Sequence, residues 1–250
     1  MAIKVFKYKK QYQVKSYEVD CHSFLRIVSL MNFLQEAAVE SAEALGFGFE
    51  ECRDKGVIWV GSNYLIKVER LPKINEHIVI DTWPAEGKLW GAVRNFLVKD
   101  ENDNIIIRAI SQWVLIDFAR RRPVMLNKYF PEYDFLDEKV MDDDFHKLPL
   151  VENPDSIKDI LVRYDDIDIN NHVNNAVYPL WAGEGLEPDY RMKHTPAEIE
   201  VCFKKEALLG ERIEVCTKQT DNESLHTILD KNSGAELADV RFIWREITLK

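Results

Sequence analysis

Residues 166–185 read DIDINNHVNNAVYPLWAGEG. The first ten hold two aspartates, four asparagines and a histidine, and the chain then turns into an apolar-periodic run that reads as a helix from about 173 to 186. Asn and Asp at a helix start are normally caps, whose side-chain oxygens accept the amides of the first turn. A histidine and a second asparagine pair exceed what capping requires. Alternate positions of an extended segment point to one side, so Asp168, Asn170 and His172 are expected to converge at the helix mouth. The helix N-terminus is expected to add unpaired backbone N–H groups near Val173 and Asn174 and a partial positive charge, a setting that can hold an oxyanion.

Working outward, a strand at 159–166 leads into this helix, and strands follow at 197–206, 211–220, 224–231 and 236–246, where apolar residues alternate or run together. The first half has the same order. A strand at 11–19 precedes a helix over 27–45, whose stripe is Leu30, Phe33, Leu34, Ala37, Ala38, Ser41, Ala42 and Leu45. Gly46 and Gly48 end it, and strands follow at 57–69, 77–83, 92–100 and 104–117. Between the halves the chain is rich in Pro, Asp and aromatics and lacks periodicity, which gives an N-terminal domain over 1–130, a linker over 131–157 and a C-terminal domain over 158–250.

Sliding one half over the other supports an internal repeat. Residues 76–82 overlay 211–217 at an offset of 135, Asp100 meets Asp230 at 130, and near the helix Asp20 meets Asp168 at 148. The fold class is therefore α+β, with two copies of one β-α-β-β-β-β unit, each a helix wrapped by a curved antiparallel sheet. The copies differ in their polar groups. Asn170, His172 and Glu206 stand in the second where His22, Phe24 and Leu71 stand in the first, so the second copy is expected to react and the first to bind or support. Leu71 is expected to face inward, which would set Glu206 in a partly apolar place suited to a general base.

The net charge of −10 disfavours nucleic acid, because phosphate binding needs a surplus of Lys and Arg. Local basic clusters remain at Arg120-Arg121-Arg122 and Lys204-Lys205, either solvated faces or docking spots for an acidic partner. The first residues lack a signal-peptide pattern and no run of about 18 apolar residues occurs, so the expected address is the cytoplasm without membrane insertion. The four cysteines form no CxxC pair and read as reduced, mostly buried thiols, so neither a metal nor a disulfide framework is expected. No GxSxG elbow, phosphate-cradling glycine loop or HEXXH run is present, which disfavours a serine hydrolase, an NTPase and a zinc hydrolase. His194 and His226 are isolated and read as surface or strand residues.

Taken together, Asp166, Asp168, Asn170, His172, Val173, Asn174 and Asn175, then Tyr178 and Trp181, and Lys204-Lys205-Glu206 resemble the motifs of acyl-acyl-carrier-protein thioesterases of the plant and bacterial type. The first half adds SYEVD (16–20), LMNFLQEAA (30–38), RLPKINEHIVIDTWP (70–84), Arg94-x-Phe96 and SQWVLID (111–117), so the resemblance covers nearly the whole chain. It implies a tandem hotdog fold, hydrolysis of acyl-ACP without a cofactor, and Asp168, Asn170, His172 and Glu206 as the catalytic set. Plant-type relatives carry a cysteine directly after that glutamate; Ala207 stands here, so no thiol can act from that position. Under this reading Leu30, Met31, Phe33 and Leu34 line an acyl tunnel, although ordinary core packing fits the same residues. The carrier docks on Arg120 to Arg122 or on Lys204 and Lys205, and the assembly is a monomer or a homodimer. An acyl-CoA thioesterase and a non-catalytic acyl-binding module are the competing readings.

Overall fold

The structure is a computed structural model that describes residues 5–142 and 144–248. The chain forms two compact units, one running to Asn63 and continuing over Glu69–Asp144, the other made of Tyr64–Val68 and the chain from Phe145 onward. The stretch expected to be a separate linker is therefore divided: 131–144 belongs with the first unit and 145–157 with the second.

In the first unit, β1 (Tyr8–Gln13) leads to α1 (Ile27–Ala44) and the short α2 (Phe49–Asp54). Then come β2 (Val57–Val68, of which Tyr64–Val68 counts with the second unit), β3 (His77–Lys88), β4 (Gly91–Lys99), β5 (Ile105–Asp117), the two-residue β6 (Arg122–Pro123) and α3 (Leu126–Tyr129). The strands lie in the order β1-β3-β4-β5-β2. Helix α1 forms where apolar or small residues recur every three or four positions: Leu30, Met31, Leu34, Ala37, Ala38 and Ser41 are all buried. It stops where Gly46 takes the left-handed conformation at φ 76°, as a C-terminal glycine does. Phe33 lies off that stripe. It is half-buried and stacks on Tyr12 of β1 with ring centres 4.4 Å apart, so it does not share the lining position expected of it beside Leu30, Met31 and Leu34.

The second unit repeats the order with β7 (Ser156–Leu161), α4 (Val177–Glu184), α5 (Pro188–Arg191), β8 (His194–Phe203), β9 (Arg212–Thr220), β10 (Glu223–Asp230) and β11 (Glu236–Glu246). Its strand order is β8-β11-β10-β9-β7, with antiparallel pairing throughout. Helix α4 is shorter than its apolar pattern suggests. Asn174 forms a turn ahead of it, its Oδ1 accepting the Ala176 N–H at 2.9 Å. At the far end Gly185 packs so closely on β9 that a Cβ there would stand 2.1 Å from the Thr217 hydroxyl oxygen.

Both first strands also end early. The Glu18 carboxylate accepts the Lys15 N–H at 2.7 Å and the Asp166 carboxylate accepts the Arg163 N–H at 2.8 Å. Each bond closes a 3-10 turn, at Ser16–Glu18 and Tyr164–Asp166. The repeat then continues bond for bond. The N–H of Leu25 donates to Pro72 O at 2.8 Å and that of Val173 to Ala207 O at 2.9 Å; Arg26 N–H reaches Glu18 O and Asn174 N–H reaches Asp166 O, both at 2.9 Å. The Lys73 and Leu208 N–H groups are each held at 2.9 Å by the carboxylates of Glu76 and Glu211. These bonds make Leu71 and Glu206 structural equivalents, the pairing that the sequence offsets suggest.

Candidate active site

The site begins with the turn between Ile167 and Val173, which pair as an isolated antiparallel bridge. Asp168 N–H donates to His172 O at 2.8 Å and Asn171 N–H to Asp168 O at 3.0 Å. Asn171 sits at φ 62°, a conformation that Asn tolerates better than most residues. The Asp168 carboxylate ties the turn from within, Oδ1 accepting the N–H groups of Asn170 at 2.8 Å and His172 at 3.4 Å. Residues 168–172 are thus a closed turn, not the extended segment that the alternation argument requires. The turn itself brings two of the three together: Asn170 Nδ2 donates to Asp168 Oδ2 at 3.3 Å.

His172 meets Glu206. Its Nε2 lies 3.3 Å from Glu206 Oε2, with side chains 26% and 39% exposed. Glu206 follows the end of β8, and its backbone occupies the place that buried Leu71 occupies in the first unit. Its carboxylate nevertheless reaches solvent, so the apolar setting expected from Leu71 does not carry over: a charged end turns toward the histidine and water, where a leucine side chain turns inward.

The oxyanion donors expected at Val173 and Asn174 are already engaged, with Ala207 O and Asp166 O as their acceptors. Helix α4 starts only at Val177, so residues 173 and 174 cross-link the turn to its scaffold and the helix end lies further along. The partner carbonyl of Val173 lies 34 residues away in the chain, which is why a local reading of the helix mouth does not find it.

A tyrosine that the sequence reading left without a role completes the description. Tyr178, 2% exposed in α4, accepts the Ala207 N–H at 3.0 Å through its hydroxyl, which also lies 3.5 Å from Lys205 O. Burial pushes its phenol up to about 12, so it remains a neutral hydroxyl. The signal was present in the repeat: at the offset of 148 Tyr178 replaces Leu30.

Of the four cysteines, expected to be mostly buried, Cys52 and Cys216 are buried, Cys202 is half-buried and Cys21 is exposed. Cys52 is pushed up to about 12 by burial, and burial also raises Cys202 and Cys216, so all three stay protonated near neutral pH. His226, read from sequence as a surface or strand residue, is in β10 and 1% exposed. Its ring nitrogens meet Thr217 Oγ1 at 2.9 Å and Ser224 Oγ at 2.8 Å, and burial holds its pKa down to about 3.

Of the basic clusters, Lys204 is neutralised by an ion pair with Asp239 at 2.5 Å and another with Glu236. Lys205 is exposed. Arg120, Arg121 and Arg122 are exposed as well, and Arg120 and Arg122 border a groove of about 270 Å³ with Trp90, Met125 and Lys128.

The model of the acyl-ACP thioesterase N-terminal domain matches residues 5–132 and that of the C-terminal domain matches 151–246. The chain belongs to the acyl-ACP thioesterase family. Among its relatives is the chloroplastic acyl-[acyl-carrier-protein] hydrolase FATB3 of Cuphea viscosissima, 29% identical over 95% of this chain and 62% of that protein. The chloroplastic palmitoyl-acyl carrier protein thioesterase of Arabidopsis thaliana is 30% identical over 96% of this chain and 64% of its own length. The chain spans about three fifths of the length of these curated relatives. Among solved structures, the 12:0-ACP thioesterase from Umbellularia californica superposes with a TM-score of 0.86 at 26% identity, covering 97% of this chain and 98% of that one. An acyl-ACP thioesterase from Bacteroides thetaiotaomicron gives 0.86 at 21% identity, over 95% and 97%. The fold of this family member is accordingly the tandem hotdog. Among the described residues no helix is long and apolar enough to cross a membrane.

Proposed function

We propose that the protein hydrolyses the thioester of acyl-ACP, releasing free fatty acid and the carrier thiol, at a site in the second unit. The observation that carries this reading is the contact between His172 Nε2 and Glu206 Oε2 at 3.3 Å, beside a turn organised by Asp168, in a member of the acyl-ACP thioesterase family. A thioester is already activated, so the site needs only to orient a water, take its proton and stabilise the oxyanion.

Glu206 accepts the proton as the water oxygen attacks the acyl carbon. His172, with Nε2 3.3 Å from Glu206 Oε2, fixes the direction of that carboxylate. Asp168 takes one Asn170 amide proton, leaving the second to donate to the thioester oxygen as it becomes an oxyanion. Collapse of the tetrahedral intermediate breaks the C–S bond, and the proton held by Glu206 passes to the departing thiolate. This assignment replaces the Val173 and Asn174 amides, which are spent on the scaffold, with the exposed Asn170 side chain.

In the first unit Leu30, Met31 and Leu34 are fully buried, and we assign them to the acyl chain, which must part them to enter. The acidic carrier docks on the exposed Arg120 to Arg122 in preference to Lys204, which is paired with Asp239 and Glu236. The cytoplasmic address belongs to the same reading.

Glu206→Gln is the direct test. Free fatty acid release from acyl-ACP is expected to fall about 10²- to 10⁴-fold in a variant that unfolds like the parent. Parental turnover by that variant would remove Glu206 as the base. Running the same acyl chain on ACP and on CoA separates the carrier-specific reading from a CoA thioesterase.

A further inference from the structure

We propose that Tyr178 is a positioning residue for Glu206, acting through the two peptide groups that flank it. This rests on Glu206 serving as the base. The Tyr178 hydroxyl oxygen accepts the N–H of Ala207, the residue after Glu206, at 3.0 Å. Its own proton is left to point at the carbonyl of Lys205, the residue before, at 3.5 Å. One neutral hydroxyl thus brackets the glutamate from both sides, just past the end of β8, where the last backbone bond to β11 runs from Lys205 N–H to Leu237 O at 3.1 Å. The neighbouring Ala207 carbonyl is held by Val173 N–H at 2.9 Å, and Val173 directly follows His172. The two members of the acid-base pair are therefore tied to each other through Ala207, which accounts for a 3.3 Å contact between two partly exposed side chains.

The ring is in turn held rigidly. It meets Trp181 with centres 5.3 Å apart and Phe203 edge-on at 5.4 Å, and Tyr64 packs edge-on to Phe203 at 6.4 Å. A rigid aromatic body with a single polar tip is a suitable clamp, because little conformational freedom is lost when its hydroxyl is used.

The repeat gives an internal control. In the first unit the positions of Tyr178, Glu206 and Ala207 are filled by Leu30, Leu71 and Pro72. Leucine has no hydroxyl, and proline has no N–H to offer one. The backbone cross-link through residue 72 persists, with Leu25 N–H donating to Pro72 O at 2.8 Å, so the scaffold holds without the tyrosine. The hydroxyl and its donor occur together only in the copy that carries the carboxylate. If Tyr178 merely satisfied the fold, nothing would link its presence to Glu206.

Tyr178→Phe keeps the ring between Trp181 and Phe203 and removes only the oxygen. On acyl-ACP its kcat is expected to fall about 10-fold or more while KM changes less than about twofold, since loosened geometry at a reacting group costs rate and leaves binding intact. In a Glu206→Gln background the same substitution is expected to change residual kcat less than about twofold, because the group being aimed is no longer a base. An equal loss in both backgrounds would assign the hydroxyl to general structure and overturn the proposal. The two readings fail separately. Full activity of Glu206→Gln removes the base, while an inactive Glu206→Gln beside an unimpaired Tyr178→Phe removes only the positioning role.

Discussion

The turns at 20–24 and 168–172 are built alike and carry different chemistry. In both, an aspartate N–H donates 2.8 Å to the carbonyl four residues on, and the aspartate Oδ1 accepts two amides, those of His22 and Phe24 in the first turn and of Asn170 and His172 in the second. Ser23 and Asn171 take the same left-handed conformation, at φ 67° and 62°. Everything that shapes the loop is shared, and everything that could react is not. Phe24 becomes His172, Leu71 becomes Glu206, Leu30 becomes Tyr178 and Pro72 becomes Ala207. Backbone bonding and one aspartate therefore suffice for the scaffold, and a few side chains aimed across it distinguish a supporting copy from a reactive one.

The sharpest way to break this comparison is to remove the shared aspartate from each turn. Asp168→Ala and Asp20→Ala each delete an acceptor of two backbone amides and should each cost about 1 kcal/mol of unfolding free energy. They should part company in turnover. Asp168→Ala releases Asn170 and shifts His172, with an expected loss of about 10²-fold in kcat. Asp20→Ala should leave kcat within about twofold of the parent, as expected for a change that affects stability alone. Equal turnover losses, measured by fatty acid release at a temperature well below both unfolding midpoints, would show that the first turn shares in the reaction.

Much of this is legible in the sequence, and the parts that are not have different physical causes. The stripe of α1 and the order of elements along the chain follow from local periodicity, and the offsets align the two copies well enough to pair Glu206 with Leu71. Where a hydrogen bond reaches far along the chain, local reading fails: the acceptor of Val173 N–H, Ala207 O, belongs to a loop beyond β8. Phe33 escapes a periodicity argument because one helical step separates a buried position from one that stacks on Tyr12. The turn at Asp168, Asn170 and His172 escapes an alternation argument, although Asn171 beside them is a residue that readily turns the chain.

A smaller contrast lies in the sheet faces. At the offset of 130, His226 replaces Phe96, and both are buried. Burial in the second unit, with a lesser push from Arg191, holds His226 at about 3, below an ordinary histidine near 6.5. The folded protein thus binds the proton more weakly than the unfolded chain. Its stability contribution is complete above pH 6.5 and is lost as pH falls toward 3, at about 1.4 kcal/mol per pH unit. Between pH 6.5 and 5 the second unit should lose about 2 kcal/mol from this residue, read as a falling denaturant midpoint. His226→Phe, which copies the first unit, should flatten that slope. It should also weaken the fold at pH 7 by about 1–3 kcal/mol, because Thr217 and Ser224 lose their partner. An unchanged slope would place the acid sensitivity in the carboxylates.

The smallest expected effect concerns the surface, where the two basic clusters differ in how much charge they can offer. Lys204 already faces Asp239 and Glu236, so its field is cancelled at close range, whereas Arg120 meets Asp117 at the longer distance of 3.7 Å. An acidic carrier should therefore feel the arginines more than the lysine. Reversing Arg120 and Arg122 to Glu should raise KM for acyl-ACP several-fold at low salt, with kcat little altered and the difference shrinking as ionic strength rises. Lys204→Gln should leave KM nearly unchanged but destabilise the second unit, because Asp239 is only 1% exposed and would lose its counter-charge. If Lys204→Gln instead raised KM as much as the arginine reversals, docking would have to be assigned to the second unit. The ion pairs with Asp239 and Glu236 would then be contacts that the carrier displaces.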